Sequence, residues 1–190
     1  MQQFIKLKSK PIPLDLNNVD TDMIIPAQHL KKVNKEGYGE FLFSNLKQLY
    51  PDFILNNPNY VSGEILISRA NFGCGSSREH AVWSLIQYGI KVVICSSYSD
   101  IFYNNATKNG LLIIKLSSDV IDSWLSSAIA NSQNEMVVDL EQQTVEYCGL
   151  IQHFNYDQFR RYCLLQGLDD LNYLLTHTKE ISAYEHQFIN

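Results

Sequence analysis

The residues best suited to chemistry lie at positions 71–81, in the sequence Asn-Phe-Gly-Cys-Gly-Ser-Ser-Arg-Glu-His-Ala. A strand-like run at residues 64–68 precedes this segment, and a helical pattern follows it. We therefore expect two serines and an arginine at a strand-to-helix turn, where the start of the helix offers unpaired N–H groups and a partial positive charge. Such a turn suits an anion, and a serine oxygen there can carry negative charge.

Helix capping explains part of this segment without any catalytic role. Ser76 suits the N-cap position, and Glu79, three residues later, completes a capping box. Gly73 and Gly75 suit a turn that requires positive φ angles. These four residues by themselves favour a capped helix start over a functional site.

Arg78 and Ser77 favour a binding site at the same turn. In the first turn of the expected helix the dipole disfavours a cation, so Arg78 calls for an anionic partner. The guanidinium fork matches a carboxylate in bidentate fashion, and Ser77 adds a second hydroxyl. Together these residues predict a pocket for a carboxylate, with a serine beside the atom that reacts.

Other catalytic motifs fit this segment less well. The nucleophile-elbow pattern G-x-S-x-G fails because Arg78 occupies the final glycine position. The segment also lacks the Gly-Lys-Ser/Thr and G-x-G-x-x-G patterns of phosphate-binding loops. His80 follows Ser76 by about one helical turn, and two roles stay open for it: base catalysis, or a bond to a backbone or subunit-interface group.

Composition limits the class of protein. The chain has 190 residues, 45% of them apolar, which predicts one domain over residues 1–190 with a helical extension from about residue 155. A net charge of -5 argues against nucleic-acid binding. The small basic cluster Lys31, Lys32 and Lys35 is either a solvated loop or a contact for an anionic substrate. No apolar run has membrane-spanning length, so we expect no membrane association.

The cysteines predict free thiols rather than a metal site. They are spread along the chain without a C-x-x-C pair, so we expect no metal or cluster bound by this chain alone; they are Cys74, Cys95, Cys148 and Cys163. With no leader peptide evident at the N-terminus, we expect a soluble protein of the reducing cytoplasm.

Alternating strands and helices in the middle of the chain must position the turn. Strands are predicted at residues 64–68, 91–95 and 111–116, and helices at 77–88, 99–108 and 119–131. This order implies βαβ crossovers and a parallel core. A first strand at 4–8 ended by Pro11 and Pro13, and a hairpin at 136–140 and 144–148, predict an α/β fold with a mixed, partly parallel sheet flanked by helices. Further helices are predicted at residues 36–46, 157–165 and from 168 to 177 or beyond.

Residues 71–81 resemble the swivelling domain of the aconitase superfamily, whose signature is G-x-G-S-S-R-E-H. Residues 19–26, Val-Asp-Thr-Asp-Met-Ile-Ile-Pro, resemble its T-D-x-I segment, and residues 99–112 resemble its next helix–strand unit. Residues 159–169 are similar to the C-terminal part of bacterial isopropylmalate isomerase small subunits. The resemblance covers nearly the whole chain and implies an aconitase-type swivelling β/β/α domain.

This resemblance implies the small subunit of a hydro-lyase that interconverts 2-isopropylmalate and 3-isopropylmalate in leucine biosynthesis. Such enzymes work as heterodimers or larger assemblies, and their large subunit carries a [4Fe–4S] cluster whose iron acts as a Lewis acid on the departing hydroxyl. No cofactor is then expected on this chain, which would be active only with the large subunit. Homoaconitate, methylmalate and dimethylmalate hydro-lyases share the signature and stay open, as does a non-catalytic carboxylate-binding module.

The resemblance also assigns roles to residues. It implies that Ser76 is the base and that Asp22 orients the site, and it implies substrate binding by Ser77, Arg78, Thr21, Lys32 and Lys35. Three of these have alternatives: Asp22 can instead cap a turn, Thr21 can instead support it, and Lys35 can instead face away from substrate. Residues 30–37 correspond to a loop to which substrate specificity is attributed, and there Lys35 stands where many relatives are expected to carry arginine.

Overall fold

The computed structural model describes residues 1–30 and 35–187. Within these residues there are eight strands and eight α-helices, joined by short 3₁₀ turns at Ala27–His29, Gly39–Phe41 and Ile54–Asn56. The strands are β1 Lys6–Ser9, β2 Pro11–Leu14, β3 Ile65–Ser68, β4 Val92–Cys95, β5 Leu112–Lys115, β6 Met136–Asp139, β7 Thr144–Tyr147 and β8 Leu150–His153. The α-helices are α1 Thr21–Ile24, α2 Ser44–Leu49, α3 Glu79–Tyr88, α4 Asp100–Asn109, α5 Ser118–Ala130, α6 Gln158–Gln166, α7 Asp170–Thr176 and α8 Thr178–His186.

The strands form two sheets of four. One is parallel, in the order β2-β3-β4-β5, and the other is antiparallel, in the order β1-β6-β7-β8. The predicted combination of parallel and antiparallel strands is confirmed, and it is divided between two sheets. The parallel sheet arises from the β3–α3–β4–α4–β5 crossovers, as the alternation in the sequence predicts.

The prolines near the N-terminus lie inside a strand. Pro11 and Pro13 follow the end of β1, as predicted, but they also belong to β2, which the sequence pattern did not reveal. Because β2 is at the edge of the parallel sheet, one of its sides has no partner strand in that sheet. Residues two apart turn their backbone nitrogens to the same side, so both prolines can lack an N–H without breaking the ladder to β3.

Three local predictions differ from the structure. The single helix predicted at residues 36–46 is wrong: a 3₁₀ turn and α2 occur instead, separated by Phe43, whose φ is 50°. Strand β8 was not predicted, although Cys148 and Gly149, with φ of 51° and 77°, form the two-residue turn that leads into it. The last helix is broken at His177 into α7 and α8.

Two buried clusters cover the two faces of the parallel sheet. Leu66 of β3 packs with residues of α3 and α4, whereas its neighbours Ile65 and Ile67 pack with α5 and the antiparallel sheet. Strands β2 and β3 end side by side, with Leu14 opposite Ser68. The segments that follow them therefore emerge next to each other at the carboxyl edge of the sheet, where ligands bind in open α/β folds. Within the described residues, the helices are too short or too polar to cross a membrane.

Candidate active site

Two chain segments run together beyond the ends of β2 and β3. Backbone hydrogen bonds join Asn18 N to Ala70 O at 2.9 Å, Gly73 N to Val19 O at 2.7 Å, and Thr21 N to Cys74 O at 2.9 Å. A parallel bridge pairs Asp20 with Cys74. This pairing brings the Thr21–Asp22 dipeptide to the turn that carries the serines, although more than fifty residues separate them in the chain.

Glycine is required where this turn meets helix α4. Gly73 has a φ of 70°, and a Cβ atom built on it would lie 2.2 Å from Cγ of the Phe102 ring. Phe102 is buried and packs edge-to-face on Phe72. The turn therefore packs directly against the hydrophobic core, with no room for a side chain at position 73.

We expect Gly73→Ala to lower the free energy of unfolding by about 3 kcal/mol, the sum of a left-handed alanine and an overpacked contact. Gly149 is a matched control, because its φ is 77° and nothing lies within 4 Å of the added Cβ. Gly149→Ala should cost only the conformational part, about 1 kcal/mol. Urea unfolding of both variants measures the difference, and equal losses would contradict the close packing at Gly73.

The start of α3 differs from the predicted capping box. Helix α3 begins at Glu79, its N-cap is Arg78, and no side chain caps it. Ser76 lies before the N-cap, and its carbonyl accepts a hydrogen bond from Arg78 N at 2.7 Å. The carboxylate of Glu79 accepts a hydrogen bond from Nδ2 of Asn109 at 2.7 Å instead of bonding back to the chain. The predicted capping box is wrong because this tight turn moves Ser76 out of capping range.

The serine hydroxyls are consequently available. Ser76 and Ser77 are both exposed, and no described residue forms a hydrogen bond with either hydroxyl. The first N–H groups of α3, at Glu79 and His80, likewise have no hydrogen-bond partner among the described residues. The turn thus presents two hydroxyls and the positive end of a helix dipole to the outside of the chain.

Thr21 and Asp22 hold this turn from the neighbouring segment. Thr21 is buried, and its hydroxyl donates a hydrogen bond to Ser76 O at 2.9 Å. The carboxylate of Asp22 accepts a hydrogen bond from Nη1 of Arg78, with the two side chains 56% and 19% exposed. In the isolated chain, therefore, the anionic partner of Arg78 is Asp22. The guanidinium has further N–H donors that this contact does not use.

The predicted lysines lie in different situations. Lys32 is outside the described residues. Lys35 is exposed, and its Nζ lies 5.1 Å from the centroid of the Trp83 ring on α3. The structure thus places Lys35 against helix α3, in contact with Trp83. It brings together five predicted site residues, which are Thr21, Asp22, Ser76, Ser77 and Arg78.

Two further residues support the site: Asn109, which was not predicted, and His80, whose role was left open. Asn109, at the end of α4, donates to Glu79 and accepts a hydrogen bond from Nε1 of Trp83 at 3.0 Å. It ties the beginning of α3 to its neighbouring helix, and no local sequence signal marks it. His80 lies against the rings of Tyr38 and Trp83, at centroid distances of 5.3 and 4.8 Å. Its ring is thus part of an aromatic cluster.

The cysteines of the described residues are free thiols and do not form a group of metal ligands. Burial raises the pKa of Cys74, with the Asp20 charge adding to it, and burial raises the pKa of Cys95 to about 12. Burial therefore favours the neutral thiol at both positions. Among the residues that the structure describes, no three His, Cys, Asp or Glu side chains form a group able to hold a metal ion.

Known proteins are similar to this chain in sequence and in fold. Residues 1–119 match the family model described as the aconitase C-terminal domain. A 3-isopropylmalate dehydratase small subunit from Francisella philomiragia is 54% identical over 97% of both chains. One from Acidobacterium capsulatum is 48% identical over 97% of this chain and 90% of its own. A crystal structure of 3-isopropylmalate dehydratase from Methanocaldococcus jannaschii superposes with a TM-score of 0.71 at 25% identity, covering 95% of this chain and 99% of that one.

These similarities extend through the site-bearing segments and the C-terminal helices alike. The chain belongs to the aconitase C-terminal domain family, within its group of 3-isopropylmalate dehydratase small subunits.

Proposed function

We propose that this chain is the small subunit of a 3-isopropylmalate dehydratase, which interconverts 2-isopropylmalate and 3-isopropylmalate in leucine biosynthesis. The observation that carries the proposal is the exposed Ser76–Ser77–Arg78 turn, held by Thr21 and Asp22, in a chain 54% identical to such a subunit. The turn places two groups side by side: a hydroxyl that can transfer a proton, and a cation that can bind a carboxylate. Both are needed for a reaction at a carbon next to a carboxylate.

The partner in this proposal is a large subunit that carries the [4Fe–4S] cluster, and the complex works in the cytoplasm. The relatives are named as small subunits, which supports a larger partner chain. This chain would join it as one domain of residues 1–190. The exposure of Ser76 and Ser77 fits a site that a second chain completes.

Ser76 is the proposed base. Its oxygen, present as the alkoxide after the hydroxyl proton has left to solvent, would take the proton from the carbon beside a substrate carboxylate and return it during rehydration. A serine hydroxyl is a weak base unless its alkoxide is stabilised, and N–H groups at the start of a helix stabilise developing negative charge. The uncapped first turn of α3 offers such groups close to Ser76 in the chain.

Arg78 is the proposed carboxylate clamp, and Asp22 fixes its guanidinium. Because Arg78 contacts Asp22 through Nη1, the remaining N–H donors of its guanidinium can bind a substrate carboxylate. Thr21 acts as a positioning residue, since its buried hydroxyl holds the backbone of Ser76. Ser77 would contact substrate beside the base, and Lys32 and Lys35 would contact the diacid from the 30–37 loop.

The substrate assignment is tested with the complex of this chain and its large subunit. We expect kcat/KM on isopropylmalate to exceed that on homoaconitate, methylmalate and dimethylmalate by about 10²-fold, because a pocket shaped for one side chain discriminates by that order. A spectrophotometric assay of the alkene intermediate measures all four. Preference for another diacid would keep the site roles and overturn the isopropylmalate assignment.

A further inference from the structure

One face of helix α3 is covered by the chain segment that leaves the 30–37 loop. His80, Trp83 and Gln87 are spaced three and four residues apart, so they lie on one face of the helix. We call these three residues the α3 stripe. The segment of residues 35–39 lies along it, and Tyr38 of this segment is 1% exposed.

Gln87 binds this segment through both ends of its amide. Its Oε1 accepts a hydrogen bond from Tyr38 N at 2.7 Å, and its Nε2 donates one to Lys35 O at 2.6 Å. A glutamine is suited to this position because one side chain supplies an acceptor and a donor. The residues at both ends of the 35–38 stretch are therefore held by a single side chain.

Packing reinforces this attachment. A Cβ atom on Gly39 would lie 2.6 Å from the carbonyl carbon of Gln87, so the segment touches the helix backbone directly. The Tyr38 ring meets His80 and Trp83 at 5.3 and 5.8 Å, and Nζ of Lys35 lies 5.1 Å from the Trp83 ring. A cation over an indole face is attracted by the ring quadrupole. Both the backbone and the ammonium of Lys35 are thus directed by α3.

The same helix begins at the turn that carries Ser76, the proposed base, since its N-cap is Arg78. A rigid helix therefore joins the position of Lys35 to the position of Arg78. We infer that Gln87 is a positioning residue that sets the affinity for the diacid by holding Lys35 in place through the α3 stripe. This inference rests on the proposed substrate contact of Lys35.

Kinetics of the complex test the inference. We expect Gln87→Met, which removes both hydrogen bonds at similar volume, to raise KM for the diacid about five- to ten-fold with kcat within about two-fold, the pattern of lost uniform binding. Gln166→Met is the matched control, an exposed glutamine at the end of α6, and should leave KM unchanged. In a Lys35→Ala background, Gln87→Met should raise KM no further, because both changes remove one interaction. An unchanged KM, or an equal rise without Lys35, would overturn the inference.

A second measurement needs no substrate and separates this inference from the proposed function. Hydrogen exchange of the Tyr38 amide, followed by NMR in the full chain, should be faster in Gln87→Met than in wild type. Gln87→Glu keeps the acceptor for Tyr38 N and loses the donor to Lys35 O, so it should retain the protection. Equal exchange in all three proteins would show that Gln87 does not hold the segment of residues 35–38. This conclusion would not depend on which diacid the complex converts.

Discussion

Replacing Ser76 by alanine should reduce kcat of the assembled enzyme by about 10³-fold, within the range of general acid–base catalysis. The change removes one exposed oxygen that no described residue hydrogen-bonds, so folding should be unaffected. The proposed carboxylate clamp at Arg78 is left intact, and KM should therefore change little. Steady-state kinetics of the complex, with circular dichroism of the variant, measure both parts of this expectation.

Ser123→Ala provides the control for this substitution. Ser123 is likewise exposed, but it lies on α5, which packs on the opposite face of the parallel sheet from α3. It should leave kcat unchanged. A Ser76→Ala complex with wild-type kcat would refute the assignment of the base, whereas a loss of activity shared by both serine variants would indicate a general defect in assembly.

Arg78→Lys should reduce kcat/KM by about 10²-fold, although the charge is kept. A lysine ammonium is a point charge, and it cannot bind Asp22 and a substrate carboxylate at once through a planar fork. The loss should fall on both KM and kcat, because a displaced carboxylate also moves the reacting carbon away from Ser76. The measurement is kcat/KM of the complex with the natural diacid.

Arg160 is a closely matched control. It pairs with Asp170 at 2.8 Å, and the two side chains are 20% and 50% exposed, against 19% and 56% for Arg78 and Asp22. Exposed ion pairs contribute at most about 1 kcal/mol, so the two lysine variants should have similar unfolding free energies. Only Arg78→Lys should lose activity. Equal activity losses would show that the Arg78–Asp22 pair is structural.

The sequence predicted the elements that present the site better than the contacts within it. Between residues 64 and 116, short continuous apolar runs alternate with helical patterns, and they predicted the parallel strands and the helices between them. Burial of a strand on both faces leaves such a continuous run in the sequence. The glycine and serine content of residues 73–77 likewise marked the turn. Local chemistry and hydrophobic periodicity are sufficient for such features.

Contacts between distant segments could not be predicted in the same way. The capping-box prediction was wrong because pairing with the Asp20 segment determines the path of residues 74–76. Ser76 consequently lies before the N-cap, outside the helix. The partner of Arg78 is an acid far away in the sequence, and the loop predicted to be a helix at 36–46 is held by Gln87. Asn109 joins two helices through side-chain amide bonds that no periodicity records. Tertiary contacts overrode local propensity at each of these places.

If this chain carries half of an active site, as we propose, only the two subunits together will be active, and mixing them tests this most directly. Isopropylmalate isomerisation is assayed with this chain alone, the iron-loaded large subunit alone, and the two together. We expect turnover only in the mixture, rising with added small subunit until the partner is saturated. Turnover by this chain alone, or a large subunit whose full activity does not depend on it, would contradict the claim.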